Sequence, residues 1–267
     1  MKKTVCLLLA LAMLLSLTAC GGSASYGVNV LETLVEQEYS LAFRTNDVLY
    51  YYITGAIEQL AFNGTVDELS RKWFGTEAVS FPKKNGALES LAVPENKTLI
   101  IGIDTDSFPL AYNMDGVYWG FDIELATEVC TLLGWTLQTQ VISKEDVYVE
   151  LSAGNIDVAW GGVALDAKEV EKGRYTQYGP DMENDIVIAA RQRTGVWNPL
   201  KLNGRNMAMP STVEAMAALE TDAKLPKRLG QITRLAGGTL QCFEYLYAGK
   251  CDAVLTDTAA LMYYNTH

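Results

Sequence analysis

Histidine is almost missing from this chain: His267, the last residue, is the only one. No Cys-x-x-Cys pair occurs either, so the usual donor sets for zinc are lacking and neither a metal nor a cofactor is expected. There is no basic run or stripe. Lysine and arginine number 21 against 32 aspartates and glutamates, a formal net charge of −11, which argues against nucleic acid as a partner. After the amino-terminal segment no apolar stretch is long enough to cross a bilayer. No nucleophile stands in a recognisable pattern with a general base, so no catalytic residue is assigned and an enzyme is not expected.

What is present begins with targeting chemistry. Lys2 and Lys3 precede an apolar run from Val5 to Leu15, too short for a spanning helix and typical of a secretory signal. Leu17-Thr-Ala-Cys20 resembles a bacterial lipobox, which implies a lipoprotein signal peptide over 1–19 and lipidation of Cys20. Residues 20–25, rich in glycine and serine, read as a flexible tether. The expected location is the extracytoplasmic face of the cell membrane, held by a lipid anchor. Removing Lys2 and Lys3 takes the formal charge from −11 to −13. Cys242 and Cys251 flank an eight-residue stretch and admit two readings outside the cytoplasm, a disulfide or two buried thiols. Cys130 sits in a helical pattern as a small apolar residue.

Strand and helix patterns alternate along the body. Residues 99–103, 158–160, 186–190, 207–209 and 253–255 are short apolar runs of the kind buried in a parallel sheet. Residues 121–133 place Ile123, Ala126, Val129 and Leu133 on one helical face, with Gly134 as the stop. Residues 213–220 and 239–248 read as further helices. Nearer the amino terminus, Tyr39 to Phe43 alternates like a strand, and Asn46 or Asp47 can cap a helix carrying Leu49, Ile53, Ile57 and Leu60. Thr65 and Glu68 form a capping-box pattern for a helix ending at Trp73-Phe74-Gly75. Residues 76–97 read as a linker with one helical turn at 87–91, and no internal repeat is visible. The pattern predicts an α/β fold with a parallel sheet.

Four segments then carry a resemblance: Gly102-Ile-Asp104, Gly120-Phe-Asp-Ile-Glu-Leu-Ala126, Leu151-Ser-Ala-Gly-Asn-Ile-Asp157 and Cys251-Asp-Ala-Val-Leu-Thr-Asp257. In this order and spacing they resemble the polar amino-acid family of solute-binding proteins that serve ABC importers. Residues 39–75 resemble the closing segment of the same family, although here they come first. The resemblance therefore implies a two-lobed periplasmic-binding-protein fold (class II-like) with hinge strands, circularly permuted. Lobe 1 would span 40–187, made of the permuted closing segment 39–75, the linker 76–97 and the stretch 98–187. Lobe 2 would comprise 26–39 plus 188–267. The implied partners are a small polar solute, clamped between the lobes, and an ABC permease in the membrane. The chain would act as a monomer, a swapped dimer being the alternative.

Carried over residue by residue, the resemblance implies a ligand site. Asp257 takes the position that accepts a ligand α-amino group, and can equally cap a helix. Ser211 and Thr212 match a loop that offers hydroxyls and N–H groups to a carboxylate. Gly161 and Gly162 follow the strand of Trp160 and would let backbone approach the ligand. Phe108, Trp119 and Trp160 are aromatic candidates with Tyr112, and Asp104 is a polar one. The sequence departs from the pattern at two positions, where Ala164 replaces a hydroxyl residue and Glu169 replaces the arginine that grips an α-carboxylate. Lys144 or Lys168 could supply the missing charge without the planar fork. Otherwise the ligand would be a cation without a free α-carboxylate. Two further readings belong to other classes: a dehydratase of cyclic amino-acid precursors, and a sensory module docking on a receptor.

Overall fold

The structure, a computed structural model, describes residues 27–37, 39–162, 172–180, 182–191, 195, 196 and 198–267. The segment expected to be a signal peptide, Cys20 and the whole of the 20–25 stretch lie outside the described residues.

Apolar runs of four to six residues, buried on both faces, form the centres of two five-stranded sheets. In the first sheet, β3 (Thr98–Ile103) lies parallel to β7 (Thr136–Val141) on one side and β8 (Val158–Ala159) on the other. Next comes β2 (Leu41–Arg44), antiparallel to β8, and then β9 (Tyr175–Tyr178), antiparallel to β2. In the second sheet, β11 (Asn206–Pro210) lies parallel to β12 (Gln231–Leu235) and β13 (Ala253–Asp257). Here β10 (Ile186–Arg191) runs antiparallel to β13, and β1 (Val28–Val35) closes the edge antiparallel to β10. The two sheets thus share one plan, three parallel strands followed by a reversed strand and an edge strand.

The reversed strands add to the parallel core expected from sequence, and their cause is connectivity. Residues 36–40 lead from β1 into β2, and 179–185 lead from β9 into β10, so each reversed strand is entered directly from the other sheet. These two crossings run side by side. The N–H of Asn184 donates to the Gln37 carbonyl at 3.0 Å, and that of Tyr39 to the Met182 carbonyl at 3.4 Å. The Gln37 N–H also meets Asp185 Oδ1 at 3.2 Å.

Helices cover the sheets and define two lobes. On the first lie α1 (Leu49–Phe62), α2 (Thr65–Phe74), α3 (Phe121–Leu133) and the short α4 (Val147–Ala153). Asp47 Oδ1 accepts from the Leu49 N–H at 3.0 Å and so satisfies the start of α1. The capping box at Thr65 does not form, because Asn63 Oδ1 has taken the Thr65 N–H and hydroxyl. On α3 the buried stripe includes Phe121, Leu125 and Cys130, while Ile123 is only partly buried. A small antiparallel sheet of β4 (Asp106–Ser107), β5 (Ala111–Met114) and β6 (Val117–Trp119) projects from the same lobe. The second sheet is covered by α5 (Val213–Glu220), α6 (Leu225–Arg228), α7 (Gly238–Tyr247) and α8 (Thr258–Thr266).

Residues 76–97 have no regular structure, and 87–91 form hydrogen-bonded turns rather than a helix. They are nevertheless packed. Val79 and Phe81 are buried, and Phe81 stacks on Tyr178 with ring centroids 5.5 Å apart. Trp73 and Phe74 belong to the same core as Leu99, Ile101 and Ile103. Cys242 and Cys251 are buried free thiols, so no disulfide joins them. Burial pushes both thiols up, Cys242 to about 12 and Cys251 to about 11, which makes them poor nucleophiles.

Candidate functional site

Parallel strands end where their connecting loops diverge, and in open α/β sheets the crevice beyond their carboxyl ends is where ligands bind. Both lobes turn those ends toward one cavity of about 630 Å3. The loop after β3 supplies Asp104, Thr105, Asp106 and Ser107, and the region after β7 supplies Ile142, Ser143, Glu145 and Asp146. From the second lobe come Ser211 and Thr212 between β11 and α5, Glu214 in the first turn of α5, Thr239 on α7, and Thr256 and Asp257 at the end of β13. Gln37, Tyr39 and Asn184 of the crossings line it where the lobes join.

Local hydrogen bonds hold these groups in place. The Thr212 hydroxyl accepts from the Ala215 N–H at 3.2 Å and caps α5. Asp257 Oδ1 accepts from the Ala260 N–H at 2.8 Å and caps α8. Helix capping and cavity lining thus coincide at both residues. Asn184 Oδ1 adds a bond from the Ala259 N–H at 3.0 Å, tying a crossing to the same helix start. Asp257 lines the cavity from the carboxyl end of β13. Burial pushes its carboxyl up to about 7; the N–H of Ala260 opposes the shift and Glu214 adds to it.

The glycine turn is shaped by packing. A Cβ on Gly161 would fall 2.6 Å from Ile103 Cγ2, and one on Gly162 would fall 2.1 Å from Ser107 Cβ, with φ of +131° and +70°. The loop after β3 lies directly on this turn: the Asp104 N–H donates to the Gly161 carbonyl at 2.9 Å, and Ser107 Oγ donates to the Gly162 carbonyl at 2.9 Å. Gly162 lines the cavity, whereas Gly161 is buried behind it.

The sequence candidates therefore separate. Asp104, Gly162, Ser211, Thr212 and Asp257 come together around the cavity. Trp160 is buried and is not among the lining residues. Trp119 is exposed on β6, away from the cavity. Phe108 is buried between the lobes, its ring centroid 4.8 Å from that of Tyr263 and 5.0 Å from that of Tyr112. Ala164, Lys168, Glu169 and the side chain of Lys144 lie outside what is described.

Two functional residues escaped sequence reading. Asp122, wholly buried in the first turn of α3, accepts from the Gly162 N–H at 2.8 Å and from the Tyr39 hydroxyl. It links the cavity wall to a crossing segment. Burial pushes its carboxyl up to about 7 against the opposing effect of its hydrogen bonds, and the Tyr39 hydroxyl is pushed well above its usual value for the same reason. A signal did exist, because Asp122 shares a helical face with Ala126, Val129 and Leu133, and an acid in an apolar stripe needs a buried partner.

Comparison with known proteins fits this architecture. Residues 99–225 match the family described as bacterial extracellular solute-binding proteins, family 3. The matched stretch is a little under half of the chain. The family 3 segment begins at β3 and includes both glycines of the turn and the capping loop of α5. Over 177 residues the chain is 22% identical to a probable amino-acid ABC transporter-binding protein of Haemophilus influenzae (strain ATCC 51907 / DSM 11121 / KW20 / Rd). That alignment covers 66% of this chain and 66% of the relative, just under two thirds of its length. Among solved structures, a polar amino acid ABC uptake transporter substrate-binding protein from Streptococcus thermophilus aligns with a TM-score of 0.45 at 24% identity, covering 63% of this chain and 67% of that one. An ABC uptake transporter substrate-binding protein from Streptococcus pneumoniae with bound histidine aligns at 0.48 and 24% identity, covering 62% and 68%.

Proposed function

We propose that this protein captures a small polar solute, an amino acid or a related amine, and delivers it to an ABC permease from a lipid anchor on the extracytoplasmic face of the membrane. One observation carries the reading: the cavity is shared by two lobes that two crossing segments link, the layout in which hinge closure traps a ligand. The match of residues 99–225 to family 3 supports it, and the name of the Haemophilus relative supports amino-acid transport. The lipobox-like Leu17 to Cys20 supports the anchor.

We infer further that the fold is a circular permutation. The support is strand placement: β1 and β2 come first in sequence, yet β2 sits between β8 and β9, and β1 edges the second sheet beside β10. Each occupies the place in its sheet that completes the plan of the other.

The test is ligand-induced stabilisation across a library of amino acids, amines and small polar solutes. A ligand with Kd of about 1 μM binds with roughly 8 kcal/mol. At a hundredfold excess over Kd, a ligand stabilises the folded state by about 2.7 kcal/mol. A library without a single shift removes the solute-capture reading. Detergent partitioning of the expressed protein that persists in Cys20→Ser would remove the anchor.

A further inference from the structure

Asp122 bonds a crossing segment and the cavity wall through a single carboxyl group. It stands in the first turn of α3, with none of its surface exposed. Its Oδ1 accepts from the Tyr39 hydroxyl of the first crossing, and its Oδ2 accepts from the Gly162 N–H at 2.8 Å. Tyr39 also touches the second crossing. Its N–H donates to the Met182 carbonyl at 3.4 Å, and a Cβ on Gly179 would fall 2.5 Å from the Tyr39 carbonyl oxygen. Gly162 in turn holds the loop after β3, because its carbonyl accepts from Ser107 Oγ at 2.9 Å. The N–H of Gly162 is thus committed inside the lobe, and what the turn presents to the cavity depends on where Asp122 holds it.

Burial makes this tie stiff. A buried polar group that loses its partner carries the full desolvation penalty. Moving the first crossing must therefore either carry the glycine turn with it or break the Tyr39 bond. A third donor stands beside the pair. Trp160 Nε1 is buried against the same carboxyl and hydroxyl, and it has no hydrogen-bond partner among the described residues. A buried orphan donor calls for an explanation. Here it gives the cluster a second arrangement, in which Trp160 takes the oxygen that an opened bond has left. An element with two discrete arrangements is what coupling between sites requires.

Resting on the solute-capture reading, we propose that Asp122 is a positioning residue of the solute site, coupling the first crossing through Tyr39 to the Gly162 turn, so that lobe movement and the shape of the cavity wall change together. Asp122 acts from behind the wall: Tyr39 and Gly162 line the cavity, and Asp122 does not.

Amide hydrogen exchange in the ligand-free full chain tests the coupling, because exchange reports local opening. Tyr39→Phe keeps the ring and removes one hydroxyl. It should speed exchange at Gly162 at least tenfold, although both partners of the Gly162 bond are untouched, while circular dichroism confirms the fold. Asp122→Asn keeps an oxygen for the Gly162 N–H and brings an amide that can donate to the Tyr39 oxygen. Exchange at Gly162 should then stay within threefold of the native rate. Asp122→Ala breaks both links and should speed exchange at Gly162 and at the crossing amides of Tyr39 and Asn184 together. Titration with L-arginine and L-glutamine reads the consequence for capture: whichever binds the native chain should bind Tyr39→Phe at least fivefold more weakly. Native exchange at Gly162 in Tyr39→Phe overturns the proposal, and so does unchanged affinity in that variant. An Asp122→Asn chain as open as Asp122→Ala also overturns it, since only a space-filling role would then remain. If neither amino acid binds, the solute-capture reading loses support, and the exchange rates still decide the coupling.

Discussion

Val28 and Asn265 exchange two hydrogen bonds across the start and finish of the described fold. The Val28 N–H donates to Asn265 Oδ1 at 2.8 Å, and the Asn265 side-chain amide donates back to the Val28 carbonyl at 2.9 Å. The edge strand β1 is thereby fastened to α8. Each such bond contributes about 0.5 to 1.5 kcal/mol net, so Asn265→Ala should cost about 1 to 3 kcal/mol in denaturant unfolding. The same proximity tests the permutation. A rearranged chain that begins at Asn96, runs to His267, passes through a short Gly/Ser linker to Gly27 and ends at Glu95 should fold and bind the same ligand. The new break falls at exposed residues. Failure of this chain to fold while the original order folds would count against the permutation.

The pair formed by Tyr39 and Asp122 makes stability depend on pH in a definite direction. The Asp122 carboxyl sits at about 7 in the folded protein, above its ordinary 3.8. The folded state therefore holds a proton that the unfolded state has released across that window. Stability from this group is full below about 4 and is lost as pH rises toward 7. The contribution is on the order of a few kcal/mol, and Asp257 acts in the same direction. Stability measured by denaturant between pH 4.5 and 8 should fall, and Asp122→Asn should flatten the slope by up to one proton. An equal slope in the variant would show that Asp122 is ionised throughout.

Gly162 should tolerate no side chain. With φ at +70° and Ser107 Cβ only 2.1 Å from the place of a Cβ, Gly162→Ala meets both backbone strain and a collision. The backbone component alone is about 1 to 3 kcal/mol. Adding Ser107→Gly should recover the collision and leave the backbone cost. Full recovery in the double variant would contradict the conformation of the turn.

Phe108 should prove structural. Its ring fills an interlobe cluster with Tyr112, Tyr263 and Tyr264. Phe108→Ala should destabilise by about 3 to 5 kcal/mol, whereas Phe108→Leu should keep ligand affinity within twofold. A large affinity loss in the leucine variant at unchanged stability would place the ring against ligand after all.

The comparison of sequence with structure is clearest at particular residues. The runs at 99–103, 186–190 and 253–255 announced buried strands, because continuous apolar character has no other use in so short a segment. Strands β1, β7 and β12 gave no such signal, being edge strands that carry exposed polar residues. The helix caps at Asp47, Thr212 and Asp257 were readable since a cap is a local interaction. Among the residues that line the cavity, Asp257, Thr212 and Asp104 were named from motif order. Phe108, Trp119 and Trp160 were not placed, because an aromatic residue serves a core and a ligand equally well in sequence.

The sequence by itself determined the alternation of strands and helices, the acidic balance, and the set of short motifs whose order resembles that of a solute-binding family. These are local or compositional, and a chain displays them whatever its fold. Only the tertiary structure decided that one reversed strand completes each sheet, that Asp122 reaches Tyr39 and Gly162, and that acids from both lobes face one cavity. Those relationships join residues tens to hundreds of positions apart. Nothing in a one-dimensional pattern encodes which distant groups share a volume, and it is that shared volume that buries Asp122 and Asp257 and raises their carboxyls.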